Sequence, residues 1–410
     1  MPAPQQVHDR TPTPSRRRAL AGLLAGTGTL LAGCSAVSTY FPSSSAPPAT
    51  AGPPGGPAGS TLGAGEVKAA LILPLTGTGN AAVAGQAMRN AAEMALAEFN
   101  SPNLQLLVKD DGGNPDAGRQ DADQAIAEGA QIILGPLFAQ SVSAVGQVAR
   151  ARNIPVIAFS TDANVASRGV YLLSFLPETD VQRVVQYATS TGKRSYAALI
   201  PDNPYGTVVE AAFRQDVPRR GGRIVAIERY PHDKTAMAAP VKNVAAAAAR
   251  VDALFIPDSG DAVPDIAALL ASDGVNTKKI QLLGTGLWGD DPRISSSPTL
   301  DGGWYAAPDA SGYRNFATRY RARYNQDPVR TATLAYDAVA LVAALVKTQP
   351  AATRFSNETL TNPSGFAGID GLFRFRADGT NERGLAVLRV TSQGAQVVSP
   401  APKSFGASGI

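Results

Sequence analysis

The strongest constraint on the fold is a repeated alternation between short apolar runs and amphipathic helical segments. The run 67 to 73, VKAALIL, stops at Pro74, and the helical pattern that follows has an apolar face with Met88, Ala92, Ala95 and Phe99. The alternation continues with strands predicted at 104 to 110, 131 to 135 and 155 to 160, and with helices at 116 to 128 and 139 to 151. Apolar strands separated by such helices predict a parallel sheet covered on both faces.

A second series of the same kind follows a helix that begins near Val181. Its strands, each separated by a helix, are predicted at 195 to 200, 223 to 230, 251 to 256 and 281 to 284. Later segments predict helices near 313 to 324 and 333 to 347, and then a β-hairpin around Asp378-Gly379 within 371 to 390. The predicted fold class is α/β, with two doubly wound parallel-sheet lobes and a ligand cleft between them.

The N-terminal segment has the order of a secretory signal. Three arginines at 16 to 18 precede the apolar run 19 to 32, which is shorter than the roughly 20 residues that a membrane span needs. The Ser-Arg-Arg-x-x-Leu order also resembles a twin-arginine signal, so twin-arginine and general secretory export both stay open. Cys34, the only cysteine among the 410 residues, closes this run within LAGCS.

The sequence LAGC around Cys34 resembles the bacterial lipobox, whose cysteine is alkylated with diacylglycerol and becomes the mature N-terminus. We therefore interpret residues 1–34 as a lipoprotein signal peptide and Cys34 as the lipidation site. Residues 35–65 are rich in Pro, Gly, Ser and Ala and carry no charge, which predicts a disordered tether. As a flexible coil, such a tether would span roughly 30 Å.

Charge and composition exclude several classes of function. The formal net charge is +4, and residues 1–34, with four arginines and one aspartate, carry +3 of it. No run of Lys and Arg interleaved with aromatic residues follows, which argues against nucleic-acid binding. One cysteine and two histidines, His8 and His232, cannot supply a disulfide or a Cys/His metal site, so we expect no metal and no cofactor.

Candidate ligand-binding residues follow the predicted strands, because open parallel sheets bind ligands beyond the carboxyl ends of their strands. Two lobes that face each other would leave a cleft there. The polar segments at these ends are Thr76 to Asn80, Asp110-Asp111, Gln140-Ser141, Ser160 to Asp162, Asp202 to Tyr205, Asp258 to Asp261 and Thr285 to Asp290.

Motifs for enzymatic chemistry are weak. The segment 284 to 289, GTGLWG, matches the G-x-G-x-x-G dinucleotide fingerprint, but Trp288 and the pair Asp290-Asp291 stand where the phosphate-binding helix should begin, which favours a cleft loop. No nucleophile elbow or P-loop is present, and His232 lies in a polar turn that we expect to be exposed. Gly112-Gly113 break the spacing of a calcium loop after Asp110-Asp111, so we expect turn and capping roles for these two carboxylates. We therefore expect a protein that binds polar molecules and is not an enzyme.

Six segments between residues 66 and about 392 resemble the type I periplasmic binding proteins, especially the leucine/isoleucine/valine-binding branch. They are LILPLTGTGNAAVAGQAMRNAAEMALAEFN, KDDGGNPDAGRQDADQAIAEGAQIILGPL, NIPVIAFSTD, PDNPYG, TLAYDAVALVAAL and GIDGLFRFRADGTNERG. The resemblance implies three crossings between the lobes. Lobe 1 would contain 66–176 and 306–350, and lobe 2 would contain 177–305 and 351–400.

The resemblance also implies a set of ligand-binding residues. The segment GPLFAQS would supply Ser141 to a ligand carboxylate, AFSTD would supply Ser160, Thr161 and Asp162, and DNPYG would supply Tyr205. This chain departs from the family at Asp258-Ser259-Gly260, where a tyrosine is usual, and in GTGLWG, which lacks the glutamate for the ligand ammonium unless Asp162 or Asp258 replaces it. The full candidate set is Gln140, Ser141, Ser160, Thr161, Asp162, Tyr205, Asp258 and Trp288.

The chain also resembles the C-terminal region of penicillin-binding-protein activators, which are outer-membrane lipoproteins that stimulate peptidoglycan synthases by contact. Two functions therefore stay open: the substrate-binding component of an ABC importer, with a permease as partner, and an activator, with a peptidoglycan synthase as partner. Ser35, directly after the cysteine, resembles the signal that sorts lipoproteins to the outer membrane. We therefore expect a periplasmic protein whose lipid is anchored in the outer membrane in preference to the inner membrane.

Overall fold

The computed structural model describes residues 60–99, 102–289 and 291–405. Every described helix and strand lies within one compact unit, Ala36–Ile410. The predicted signal peptide, Cys34 and the tether up to residue 59 lie outside the described residues. Within the described part of the chain, no helix has both the length and the apolar character to cross a membrane.

The first lobe is built on a six-stranded sheet with the strand order β1-β3-β2-β4-β5-β6. In chain order its elements are β1 (Thr61–Leu62), β2 (Val67–Leu73), α1 (Asn80–Glu98), β3 (Leu104–Asp110), α2 (Pro115–Ala127), β4 (Ala130–Leu134), α3 (Ala139–Ala151), β5 (Val156–Ala158) and β6 (Val170–Leu172). Strands β2 to β6 pair in parallel, as the apolar runs predicted.

Both faces of this sheet are covered. In β2, Leu71 and Leu73 pack in one core with Met88 of α1, whereas Ile72 packs in another core with Val142 of α3. Successive side chains of a strand point to opposite faces, so a strand buried on both faces must be apolar at nearly every position. This accounts for the continuous run VKAALIL.

The second lobe begins with α4 (Pro177–Ser190) and is built on a seven-stranded sheet. Its next elements are β7 (Ser195–Pro201), α5 (Pro204–Arg219), β8 (Arg223–Tyr230), α6 (Ala238–Ala247), β9 (Ala253–Phe255), α7 (Val263–Ser272), β10 (Gln281–Gly284), α8 (Pro292–Ser295) and β11 (Trp304–Ala307). The strands β8-β7-β9-β10-β11 lie side by side and pair in parallel.

After β11 the chain returns to the first lobe. The elements there are α9 (Ala310–Tyr324), α10 (Ala332–Thr348), α11 (Asn357–Leu360), β12 (Phe366–Gly368), β13 (Gly371–Phe375) and β14 (Asn381–Arg383). Leu334, Ala338 and Val342 of α10 join the core that contains Met88 of α1. The last strands, β15 (Ala386–Thr391) and β16 (Gly394–Ser399), complete the edge of the second sheet beside β11.

Two boundaries differ from the sequence prediction. Part of the segment 351–400 was expected in lobe 2 but packs on lobe 1. The reason is that the aromatic face of the β13–β14 hairpin packs against apolar side chains of lobe 1. The Phe375 ring lies 5.3 Å from that of Tyr171, and Asn381 Nδ2 donates to the Leu172 carbonyl. A described strand also precedes residue 66, since Thr61–Leu62 pairs antiparallel with Leu106–Leu107 and covers the outer edge of β3.

The first crossing between the lobes, before α4, makes two cation–π contacts. The guanidinium groups of Arg330 and Arg383 both lie over the Phe175 ring, 4.8 Å and 4.5 Å from its centroid. Arg330 forms a bidentate ion pair with the fully buried Asp370. Because both arginines follow the second crossing in the chain, these contacts join segments that are distant in sequence.

Candidate functional site

A buried polar network lies at the carboxyl ends of the strands of the second lobe. Tyr205 stands in the first turn of α5, which Asn203 caps by accepting a hydrogen bond from the backbone N–H of Gly206. The Tyr205 hydroxyl bonds the hydroxyl of Thr285, the residue after β10, at 2.8 Å. Asp180, in the first turn of α4, accepts a 2.9 Å bond from the N–H of Gly286. Three separate segments therefore converge on one buried point.

The electrostatics of this network keep Tyr205 neutral. Burial raises the pKa of Tyr205 well above its usual value, and the negative charges of Asp180, Asp258 and Glu178 raise it further. The tyrosine is therefore a hydroxyl hydrogen-bonding group throughout the physiological pH range. Its carboxylate neighbours make the surroundings negative, which suits a positively charged group on a ligand.

Asp258 anchors a second part of the network after β9. It accepts hydrogen bonds from the Tyr230 hydroxyl at 2.5 Å and from the backbone N–H of Ser259 at 2.7 Å. His232 Nε2 lies 3.0 Å from the same carboxylate, and this bond to Asp258 raises the pKa of His232. His232 is exposed, as the sequence indicated, and because β8 ends at Tyr230 it nevertheless lies beside Asp258.

Trp288 supports the network from the core and does not line the space beyond the strands. Its ring is buried, and Nε1 donates to the carbonyl of Ile256 at 3.1 Å. A Cβ atom on Gly284 would lie 2.2 Å from the ring, so the first glycine of GTGLWG makes room for the tryptophan of its own loop and not for a pyrophosphate. Trp288 also borders a cavity of about 180 Å³, which is lined further by Tyr305, Ile294 and Val390.

In the first lobe, Ser160, Thr161 and Asp162 follow β5, as the resemblance implied. Ser160 Oγ accepts a 3.1 Å bond from the N–H of Asp162, and Asp162 Oδ1 in turn accepts one from the N–H of Asn164. These bonds form a turn and cap a short 3-10 helix, Ala163–Val165. The Thr161 and Asp162 side chains remain half exposed.

Gln140 and Ser141 lie in the first turn of α3, after β4, and differ in exposure. Gln140 is exposed on α3, whereas Ser141 is fully buried against α2. A Cβ atom on Gly118 would lie 3.6 Å from those of both Ser141 and Asp111. Position 141 shares its helix face with Val145, four residues later, and this face packs on α2 beside Asp111, which follows β3.

The carboxylates after β3 have turn roles, as the sequence indicated. Asp110 Oδ1 accepts from the backbone N–H groups of Thr76 and Gly112, and Asp111 Oδ1 accepts from that of Gly113. Burial raises the pKa of Asp111, whose side chain is not exposed at all. Among the described residues, no group of three His, Cys, Asp or Glu side chains could hold a metal ion.

Sequence reasoning missed the acidic first turn of α4. Burial, and to a smaller extent the negative charge of Asp162, raises the pKa of Glu178. Glu178 Oε2 is shielded from solvent and has no hydrogen-bond partner among the described residues. The sequence PETD around Glu178 and Asp180 is an ordinary helix start, with Pro at the first position and acids in the first turn, so nothing distinguishes it from capping.

Two α/β lobes, joined by three crossings and carrying polar side chains at the carboxyl ends of their strands, define the type I periplasmic binding protein fold. The chain belongs to the periplasmic binding protein family, whose model matches residues 66–395. The sequence-based fold class and family resemblance are thereby confirmed.

Solved structures of this family resemble the chain over nearly their whole length. A protein from Rhodospirillum rubrum assigned to branched-chain amino acid ABC transport has a TM-score of 0.70 and 21% identity, and the match covers 81% of this chain and 99% of that one. A binding protein from Desulfitobacterium hafniense in complex with Leu has a TM-score of 0.59 and 17% identity, over 81% and 99% of the two chains. A solute-binding protein from R. palustris in complex with benzoate has a TM-score of 0.56 and 18% identity, over 84% and 99%.

Curated relatives are matched over shorter stretches. An uncharacterized protein from Rickettsia prowazekii is 22% identical over 179 residues, which are 44% of this chain and 47% of the relative. Penicillin-binding protein activator LpoA from Pantoea ananatis is 28% identical over 129 residues, which are 31% of this chain and 18% of the activator. The chain thus spans less than half of either relative.

Proposed function

We propose that the protein is a non-enzymatic, extracytoplasmic lipoprotein that binds a small, polar, amino-acid-like ligand between its two lobes as the substrate-binding component of an ABC importer. The observation that carries this proposal is the buried network of Tyr205, Thr285 and Asp180 at the carboxyl ends of the second sheet. Buried polar groups that converge on one point where parallel strands end are typical of binding sites. The family and the solved structures named above support the same class.

The charges at the strand ends indicate how an amino acid would be oriented. Its ammonium group would lie against Glu178 and Asp180, which replace the glutamate that GTGLWG lacks. Glu178 has an unpartnered buried oxygen that such a group would satisfy. The ligand carboxylate would face the hydroxyl and backbone groups of Ser160 and Thr161 across the cleft.

Export and attachment complete the proposal. Cys34 would carry the lipid after signal cleavage, and the segment 35–65 would tether the two lobes to the membrane. The protein would then lie in the periplasm, with its lipid anchored in the outer membrane in preference to the inner membrane. It would deliver its ligand to a membrane permease. Mass spectrometry of the mature N-terminus tests the lipid directly, and an unmodified Cys34 would contradict it.

A thermal-shift screen of amino acids, amides and peptidoglycan fragments tests ligand binding, because a ligand that binds only the folded state raises the melting temperature. Tyr205→Phe should reduce the shift, since it removes the hydroxyl that bonds Thr285. Tyr196→Phe is a matched control, because the Tyr196 hydroxyl bonds Thr189 at the same distance, 2.8 Å, but lies where β7 begins. No shift with any ligand, or equal loss in both variants, would contradict the proposal.

A second candidate is an activator of peptidoglycan synthesis that acts by protein contact. It is favoured by the 28% identity to the activator from Pantoea ananatis over 129 residues and by the predicted tether. A pull-down from envelope extracts separates the two candidates. Recovery of a peptidoglycan synthase without importer subunits would support the activator, and recovery of a permease without a synthase would support the importer.

A further inference from the structure

The end of the second sheet at which its parallel strands begin carries a row of positive charges. Strands β8, β7, β9 and β10 are adjacent and parallel, so their first residues lie along one edge, remote from the Tyr205 network. Basic residues lie at the first residue of each of these strands or within the four residues before it: Lys193, Arg194, Arg219, Arg223, Arg250 and Lys279. At about 4.8 Å between neighbouring strands, the row extends over roughly 15 Å. We call these six residues the basic edge.

Hydrogen bonds show that the basic edge is one surface. The backbone N–H of Arg223 donates to the carbonyl of Arg194 at 2.8 Å, which joins the start of β8 to that of β7. The N–H of Arg194 donates to the Asp252 carboxylate at 2.9 Å, which joins β7 to the turn before β9. The charges of Arg194 and Arg220 both act on the Tyr196 hydroxyl, so the end of α5 also lies here.

Most of this charge is not neutralised within the protein. Arg220 pairs with Asp216, and Lys278 pairs with Asp301. Arg219, Arg223, Arg250 and Lys279 are exposed, and no described carboxylate lies within 4.0 Å of their charged groups. The nearby Asp252 is already engaged by the backbone N–H groups of Arg194 and Ser195. Such a surface retains a net positive charge and attracts anions.

We propose that the basic edge docks on the surface of an anionic phospholipid bilayer. A row of about 15 Å is wider than one phosphate group, and it matches an array of headgroups better than a single free phosphate. Tyr196 beneath it is buried and presents no ring for base stacking, which disfavours single-stranded nucleic acid. The choice of a bilayer rests on the proposed lipid anchor, which would hold the protein close to such a surface.

Docking by the basic edge would also set the orientation of the second lobe. The strand starts would face the bilayer, and the strand ends with Tyr205 and Asp258 would face away from it. A ligand could then reach the strand ends from the aqueous side while the protein stays on its membrane.

Vesicle co-sedimentation tests this docking without the lipid. A chain that begins at Ala36 contains every described element and lacks Cys34. It should bind vesicles with about 30% phosphatidylglycerol and not vesicles of phosphatidylcholine alone, and about 0.5 M NaCl should abolish the binding. The triple variant Arg219→Gln, Arg223→Gln, Arg250→Gln should bind about 100-fold more weakly, at about fivefold for each cation removed.

A matched control variant removes the same number of positive charges at positions outside the basic edge. Arg119, Arg152 and Arg314 are exposed and lie outside the second lobe, and the triple change to Gln at these positions should leave vesicle binding within about twofold. Equal loss in both triple variants, equal binding to the two vesicle types, tighter binding to duplex DNA at the same salt, or displacement by millimolar inorganic phosphate would overturn the proposal. The basic-edge variant should keep the ligand-induced thermal shift, so failure of docking and failure of ligand binding can be told apart.

Discussion

Asp337 should make the stability of this protein fall as the pH rises from about 4 to about 7. The carboxyl group lies in α10, is 3% exposed, and accepts a hydrogen bond from the backbone N–H of Ile369 at 2.8 Å. Burial, and then the charge of Asp370, raises the pKa of Asp337 from 3.8 to about 7. This difference corresponds to about 4 kcal/mol, at about 1.4 kcal/mol for each tenfold change in the proton-binding constant.

The sign follows from proton linkage. Between pH 4 and pH 7 the folded protein holds a proton on Asp337 that the unfolded chain has lost, so the free energy of unfolding decreases across this range. Above pH 7 the full cost of the buried charge is present. Asp337→Asn removes the charge and retains the oxygen that accepts from Ile369.

Urea unfolding at pH 5 and pH 8 measures the effect. At pH 8 we expect Asp337→Asn to be more stable than the wild type by about 1 to 4 kcal/mol, and at pH 5 we expect the difference to be less than half of its value at pH 8. Asp123→Asn, at an exposed position on the surface of α2, should change neither value appreciably. Equal pH dependence in the wild type and in Asp337→Asn would refute the reasoning.

Three further changes test other parts of the structure. Gly284→Ala should destabilise the fold by about 1 to 3 kcal/mol in urea unfolding, because its Cβ would meet the Trp288 ring; a loss below about 0.5 kcal/mol would show that the ring has room to move. Asp370→Asn should cost about 2 kcal/mol, because it weakens the charged bonds to Arg330, and unchanged stability would argue against the ion pair. Glu178→Gln should weaken binding of an ammonium-bearing ligand about tenfold in calorimetric titration at pH 7, and unchanged affinity would exclude Glu178 from the site.

Much of the fold could be predicted because strands buried on both faces need continuous apolar sequence. The bounds of β2, β3, β8 and β10 agree with the predicted runs residue by residue. The hairpin around Asp378-Gly379 was also predictable from its turn and its alternation. Its position was not, because whether Phe373 and Phe375 pack on lobe 1 or lobe 2 depends on which lobe offers an apolar partner, and that is a tertiary property.

The candidate site was predictable as a location more than as a set of residues. Tyr205 and Asp258 lie in the network because they follow β7 and β9, and this is visible in the sequence. The surroundings of Ser141 were not predictable, because they depend on which face of α3 packs on α2. The sequence did not mark Glu178 and Asp180 as site residues, because acidic residues are common in the first turn of a helix. Only the tertiary fold brings the start of α4 to the strand ends.

Calorimetric titration of the chain from Ala36 with the ligand that gives the largest thermal shift tests the central claim most directly. We predict one saturable site with a 1:1 ratio, and an affinity that decreases about five- to tenfold in Tyr205→Phe and stays unchanged in Tyr196→Phe. Saturable binding that is equal in the wild type and in Tyr205→Phe would contradict the claim that the ligand binds at the buried network where the strands of the second lobe end.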